Sequence, residues 1–188
     1  RVRALVHYRP DGEAGWLEDL RDAVEILPGD VRDAERVAGL VEGCEVVFHL
    51  AALIGIPYSY EAPESYLQVN VGGTANVLSA CRRHRVARLV HTSTSEVYGS
   101  ARSVPMDESH PLHPQSPYAA TKVAADMLAL SFHRSFGCPV AVARPFNAYG
   151  PRQSTRAVIP AVLAQLHAGR DEIQVGATSP TRDFTFVT

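Results

Sequence analysis

Arg88-Leu89-Val90-His91-Thr92 is an apolar-centred strand candidate, and it runs directly into Ser93-Thr94-Ser95-Glu96-Val97-Tyr98-Gly99. A strand that ends in a cluster of hydroxyls and a carboxylate has the form of a ligand-binding rim. In open α/β sheets, ligands gather at the carboxyl ends of the strands. Upstream, Val46-Val47-Phe48-His49-Leu50 is a nearly continuous apolar run, as expected of a strand buried on both faces. Downstream, Val140 to Ala143 is a further strand, closed by Arg144-Pro145. Helical patterns lie between these runs. Pro63 to His84 is one, interrupted by Gly72-Gly73. Tyr118 to Phe136 is another, stopped by Gly137.

The same alternation continues outward. Val2 to His7 and Val24 to Leu27 are strand candidates, and Asp33 is placed to cap a helix running to Val41. Ala157 to His167 is helical, and Ile173 to Val175 is a short strand candidate. This order predicts parallel strands joined by helical crossovers, a doubly wound α/β sheet of Rossmann type.

Bulk properties narrow the function. The chain has 188 residues, 46% of them hydrophobic, and a formal net charge of −2 with acids and bases interspersed. No basic stripe suits nucleic acid, and no polybasic patch suits a membrane surface. No apolar run approaches the roughly 20 residues of a membrane helix. Cys44, Cys81 and Cys138 are scattered, without CxxC spacing, as expected of reduced cysteines in a cytoplasmic protein. His91, His110 and His113 lack the spacing of a metal pair, so no metal site is expected.

Tyr118-Ala119-Ala120-Thr121-Lys122 is the second chemical signal. Residues four apart share a helix face, which sets the Lys122 ammonium beside the Tyr118 phenol. A neighbouring cation stabilises a phenolate and lowers its pKa from about 10, so the pair predicts a general base near neutral pH.

Taken jointly, the motifs resemble the extended short-chain dehydrogenase/reductase family. They are Thr94-Ser95-Glu96-Val97-Tyr98-Gly99, Ser116 through Lys122, Arg144 through Pro151, Asp30-Val31-Arg32-Asp33, His49-Leu50-Ala51-Ala52, Asn70 through Thr74 and Arg182-Asp183-Phe184. The resemblance covers essentially the whole chain. It implies that residues 1–150 are the dinucleotide-binding portion and that 151–188 open the substrate-binding segment. It makes Tyr118 the base on a sugar hydroxyl, with Thr94 bonding the same oxygen. Lys122 would tune Tyr118 and hold the nicotinamide ribose. Asp30 and Val31 would meet the adenine, Leu50, Ala51, Ala52 and Thr92 would line the dinucleotide, and Asn147 and Arg182 would bind substrate. A homodimer through the two central helices is implied as well.

Glu96 sets the subclass. By resemblance, simple 4-epimerases lack a carboxylate there, whereas nucleotide-sugar 4,6-dehydratases and UDP-glucuronate decarboxylases carry one. Ser95 stands where many dTDP-glucose dehydratases have an Asp that protonates the leaving hydroxyl, which leaves the general acid unassigned. Glu13 through Leu17, Ile54 through Tyr60 and Gly150 through Pro160 are most similar to dehydratases of the legionaminic-acid pathway, which act on GDP- or UDP-linked N-acetylglucosamine. The expected enzyme is therefore a 4,6-dehydratase with a bound, regenerated NAD or NADP. A decarboxylase or 4-epimerase is the near alternative. A non-catalytic dinucleotide-binding module is the distant one, and such modules tend to lose the Tyr or the Lys. The acid that usually selects NAD is replaced by Val6-His7-Tyr8-Arg9, which leaves NAD and NADP both open.

The family's Gly-rich loop, which seats a pyrophosphate on a helix N-terminus, has no counterpart here. The chain lacks an initiator Met, and both ends lie in strand-like runs. The expectation is an internal portion of a longer protein, with about 30 residues of strand and helix preceding it. That first strand would lie between Val2–His7 and Val46–Leu50, so the sheet without it should be split.

Overall fold

The computed structural model describes residues 1–187. They separate into two compact units, Arg1–Arg144 and a second from Pro145 onward. The first unit holds two parallel sheets. Strand β1 (Val2–His7) pairs with β2 (Val24–Gly29). Strands β3 (Val46–His49), β4 (Arg88–Thr92) and β5 (Val140–Ala143) pair in chain order, with His49 opposite His91 and His91 opposite Val142. No ladder joins β1 to β3 among the described residues, so the sheet is split where the sequence predicts it.

Helix α1 (Ala34–Val41) is capped by Asp33, whose carboxylate accepts from Arg36 N at 3.0 Å. Two short helices, α2 (Ile56–Glu61) and α3 (Pro63–Tyr66), precede a π-helical turn, Leu67–Gly72, which runs on into α4 (Gly73–Arg83). The predicted glycine interruption is thus a change of helical pitch and not a break. Gly73 is needed for packing: a Cβ there would come 2.7 Å from Val31 Cγ1. Helix α5 (Pro117–Phe136) starts under the Ser116 hydroxyl, which accepts from Ala119 N, and ends at Gly137 in the left-handed region. Helix α4 packs between α1 and α5. Val37, Val41, Val77, Leu78, Leu89 and Ala129 form the core beneath them.

β3 corrects the sequence reading. His49 faces α4 and is buried, but Phe48 and Leu50 are 66% and 71% exposed. The apolar run predicts a strand buried on both faces. Only the face toward α4 is covered, because Val46, Phe48 and Leu50 alternate onto the opposite side.

In the second unit, β6 (Asn147–Tyr149) pairs in parallel with β7 (Phe184–Phe186), and α6 (Val158–His167) lies between them in sequence. The expected strand at Ile173–Val175 is absent, and the segment is irregular. The apolar signal there is short, and no neighbouring strand fixes it.

Gly99 marks a strict backbone requirement. It has φ +66° and ψ −143°, and a Cβ would fall 2.2 Å from the His113 carbonyl oxygen. Gly99→Ala is expected to destabilise the protein by about 1–3 kcal/mol, read by denaturant unfolding. An unchanged midpoint would show that the turn can relax.

Candidate active site

The carboxyl end of β4 delivers the site. After Thr92 the chain turns at Thr94, whose Oγ1 accepts from Glu96 N at 3.2 Å and caps a 3-10 turn, Ser95–Tyr98. Ser95 and Glu96 are half-buried at the start of this turn, while Val97 and Tyr98 anchor it in the interior. Gly99 and the pairing of His113 N with Val97 O then direct the chain away. The hydroxyl–carboxylate cluster is thus held by its own backbone.

Helix α5 brings Tyr118 and Lys122 to the cluster. Both are buried. The Tyr118 phenol lies within electrostatic reach of the Thr94 hydroxyl and the Glu96 carboxylate, so Thr94, Glu96 and Tyr118 share one neighbourhood. Burial pushes the Tyr118 pKa up, the Thr94 bond pulls it down, and the charges on Glu96 and Tyr66 push it up again, leaving it raised. The ring of Tyr66 stands edge-on to that of Tyr118 at 6.3 Å between centroids.

Lys122 departs from the sequence reading. Its Nζ donates to Thr92 O at 2.7 Å, thirty residues away, and the phenol pKa is raised, not lowered. The i,i+4 spacing puts the two residues on one face but does not decide where the ammonium points, and the half-buried Thr92 carbonyl takes it. Burial also pulls the Lys122 pKa down, and Asp126 opposes that. Lys122 is the one lysine in the chain, where every other Lys/Arg position is Arg.

The residues expected to hold a dinucleotide also line the carboxyl ends of strands. Asp30 follows β2. Arg32 bonds its carboxylate, with distances down to 2.6 Å, and holds its pKa near 2. Val31 is buried against Gly73. Leu50 and Ala51 are exposed after β3, and Ala52 is half-buried. A carboxylate, open backbone, the Thr92 carbonyl and the Lys122 ammonium fit the adenine, phosphate and ribose parts of a dinucleotide in donor and acceptor chemistry. At the end of β1, His7 Nε2 lies 3.4 Å from Asp30 Oδ2, and Arg9 is paired with Asp11 and Glu13.

To the neighbourhood of Tyr118 the structure adds Asn70. From the π-helical turn its Oδ1 accepts from Leu53 N at 2.8 Å, and its Nδ2 donates to Leu53 O and to Thr121 Oγ1, both at 3.0 Å. Thr121 in turn donates to Tyr118 O at 2.7 Å. One amide therefore ties the loop after β3 to the first turn of α5. An amide amid the apolar pattern of Val69 to Val77 is the signal that marks it, and π-helical turns often occur at functional positions.

Asn147 and Arg182 belong to the second unit. The β6–β7 pairing brings their neighbourhoods together there, with Asn147 N donating to Asp183 O at 3.2 Å. Among the described residues, no group of His, Cys, Asp or Glu is arranged to hold a metal ion, and no helix is long and apolar enough to cross a membrane.

Known proteins resemble this chain in sequence and fold. The dTDP-glucose 4,6-dehydratase of Mycobacterium tuberculosis (strain ATCC 25618 / H37Rv) is 40% identical over 179 residues, 94% of this chain and 54% of that protein. The human dTDP-D-glucose 4,6-dehydratase is 34% identical over 166 residues, 87% of this chain and 47% of its own. The chain thus spans about half the length of the curated relatives it matches. The crystal structure of a double mutant of DesIV, a dTDP-glucose 4,6-dehydratase from Streptomyces venezuelae described with NAD bound, superposes with a TM-score of 0.88 at 32% identity, covering 98% of this chain and 58% of that one. UDP-glucuronic acid 4-epimerase from Bacillus cereus, in complex with UDP-glucuronic acid and NAD, also gives 0.88, at 28% identity, covering 98% and 60%. The profile of the family described as GDP-mannose 4,6 dehydratase matches residues 1–188, and the chain belongs to that family, within the extended short-chain dehydrogenases/reductases.

Proposed function

We propose that this chain carries the catalytic core of a nucleotide-sugar 4,6-dehydratase acting on an NDP-hexose. The observation that carries the reading is the Glu96 carboxylate in the turn after β4, within electrostatic reach of the Tyr118 phenol at the start of α5. A 4-epimerase needs one proton acceptor at C4, whereas a dehydratase needs a second at C5. Tyr118 takes the C4 hydroxyl proton, helped by the Thr94 hydroxyl. The resulting ketone acidifies the C5 hydrogen. Glu96 removes that proton and can pass it to the departing C6 hydroxyl, which leaves as water, and C5 is later reprotonated from solvent. When bound, the dinucleotide supplies hydride acceptance at C4 and its return at C6, so it ends each turnover unchanged.

Asp30, Val31, Leu50, Ala51, Ala52, Thr92 and Lys122 are assigned to that cofactor. NAD is favoured over NADP because the Arg9 guanidinium is already paired with two carboxylates, which leaves it less free for a 2′-phosphate. The NAD-bound solved relatives support the same choice. Asn147 is assigned to the sugar and Arg182 to the diphosphate, where a guanidinium can bond in bidentate fashion. By resemblance, a cytoplasmic homodimer through α4 and α5 completes the assignment, and Met127 and Phe136 remain exposed on α5.

The test is incubation of the full-length protein with dTDP-glucose, GDP-N-acetylglucosamine, UDP-N-acetylglucosamine and UDP-glucuronate, followed by mass spectrometry. A product lighter by one water is expected with one of them. The relatives point to dTDP-glucose, and the resemblance to legionaminic-acid dehydratases points to an N-acetylglucosamine nucleotide. Unchanged mass with a new sugar configuration would make the protein an epimerase. Loss of carbon dioxide from UDP-glucuronate would make it a decarboxylase. No turnover of any of these would favour a binding module.

A further inference from the structure

Asp126 is fully buried in the middle of α5, four residues beyond Lys122 and eight beyond Tyr118. The three lie on one helix face. None of the chemistry proposed above uses Asp126, yet burying a carboxylate is costly unless it is paired. Its Oδ2 accepts from Arg144 Nε at 2.9 Å. Arg144 Nη1 donates to Tyr98 Oη at 3.0 Å, and its guanidinium lies 5.2 Å from the Tyr98 ring centroid. Tyr98 closes the 3-10 turn that Ser95 and Glu96 open. The other oxygen, Oδ1, faces His91 Nε2 at 3.3 Å, outside linear hydrogen-bond geometry.

We propose that Asp126 is a positioning residue serving both ends of the site: through Arg144 and Tyr98 it holds the turn that carries Glu96, and it is the counter-charge for the buried Lys122 ammonium one helical turn away. The inference rests on the roles proposed for Glu96 and Lys122. Several groups face this pair. His49 comes from β3, and it stays neutral because burial, His91 and Lys122 lower its pKa to about 3. His91 comes from β4, and Arg144 from the end of β5. Tyr118 lies above, with Glu96 beyond it. Asp126 is the anion acting directly on Lys122. Burial pushes the Asp126 pKa up, but its contacts with His91, Ser93 and Arg144 outweigh this and keep it ionised.

The sign follows. Removing a negative charge beside an ammonium lowers the pH at which the ammonium loses its proton. Full-length protein is labelled with 13C at the lysine ε-carbon, and the Lys122 resonance is assigned by its loss in Lys122→Arg. In Asp126→Asn the titration midpoint is expected to fall by about one pH unit or more. The alkaline limb of the turnover profile should follow it downward, and turnover at neutral pH should fall about tenfold. A profile that is merely scaled, with an unmoved Lys122 midpoint, would leave Asp126 a packing residue and overturn the counter-charge role. If Asp126→Asn does not fold, Arg144→Gln carries the test. With that cation gone, the Asp126 charge acts on Lys122 undivided and the midpoint should rise, so no rise overturns the proposal. Tyr98→Phe tests the other arm. It should slow water loss about fivefold to tenfold with the Lys122 midpoint unmoved, and undiminished turnover would sever that arm. The resonance is read without substrate, so a shifted midpoint in a protein that dehydrates no sugar sinks the proposed function and not this one.

Discussion

Tyr118→Phe is expected to cut turnover of the full-length enzyme by about 10²–10⁴-fold while leaving its fold and dinucleotide affinity nearly unchanged. The hydroxyl it removes is the proposed proton acceptor, and the ring it keeps supplies the packing against Tyr66. The affinity should survive because Lys122, Asp30 and the loop at Leu50–Ala52 are untouched. The phenol is also poorly prepared as a base in this chain. Burial raises its pKa first, and Glu96 and Tyr66 add to the rise against one bond from Thr94. A phenol with a raised pKa stays protonated through the neutral range. Ionisation near neutrality would be favoured by a further positive charge near the phenol, which a bound oxidised nicotinamide would supply. Turnover should accordingly rise with pH through the pKa of Tyr118 in the loaded enzyme, and Tyr118→Phe should abolish that limb. Turnover within threefold of the parent would remove Tyr118 from the mechanism.

Where the sequence was informative, the physics was local. Asp33 caps α1 and Gly137 stops α5 because caps and left-handed stops depend on residues a few positions apart. Tyr118 meets Thr94 and Glu96 because a strand end and a helix start converge at one rim of a parallel sheet, and the order of elements implies that much. The misses were all long-range. The aim of the Lys122 ammonium depends on a carbonyl thirty residues upstream. The Asp126–Arg144–Tyr98 chain joins three elements, and it could be suspected only from the 118, 122, 126 spacing on one helix face. The three-residue strands β6 and β7 stand or fall by each other, so neither carries a sequence signal of its own.

Glu96→Gln is expected to divide the reaction instead of abolishing it. The amide is nearly the same size and can still sit at the start of the turn capped by Thr94, so the geometry should persist. It cannot take the C5 proton. Oxidation at C4 should still proceed, and water loss should slow by about 10²–10⁴-fold. On mixing with substrate, the absorbance of reduced dinucleotide should build up to a plateau where the parent shows only a trace. Solvent deuterium should be incorporated at C5 far more slowly than in the parent. The charge change makes a second, independent demand. Glu96 raises the Tyr118 pKa, so its neutralisation lowers that pKa and moves the rising limb of the oxidation half-reaction to lower pH. The variant should therefore oxidise the sugar as well as the parent or better at mildly acidic pH, while releasing almost no dehydrated product. Product release at the parent's rate would show that some other group removes the C5 proton. An unmoved limb would show that the carboxylate does not act on the phenol, and the one observation separating a dehydratase from an epimerase in this site would be lost.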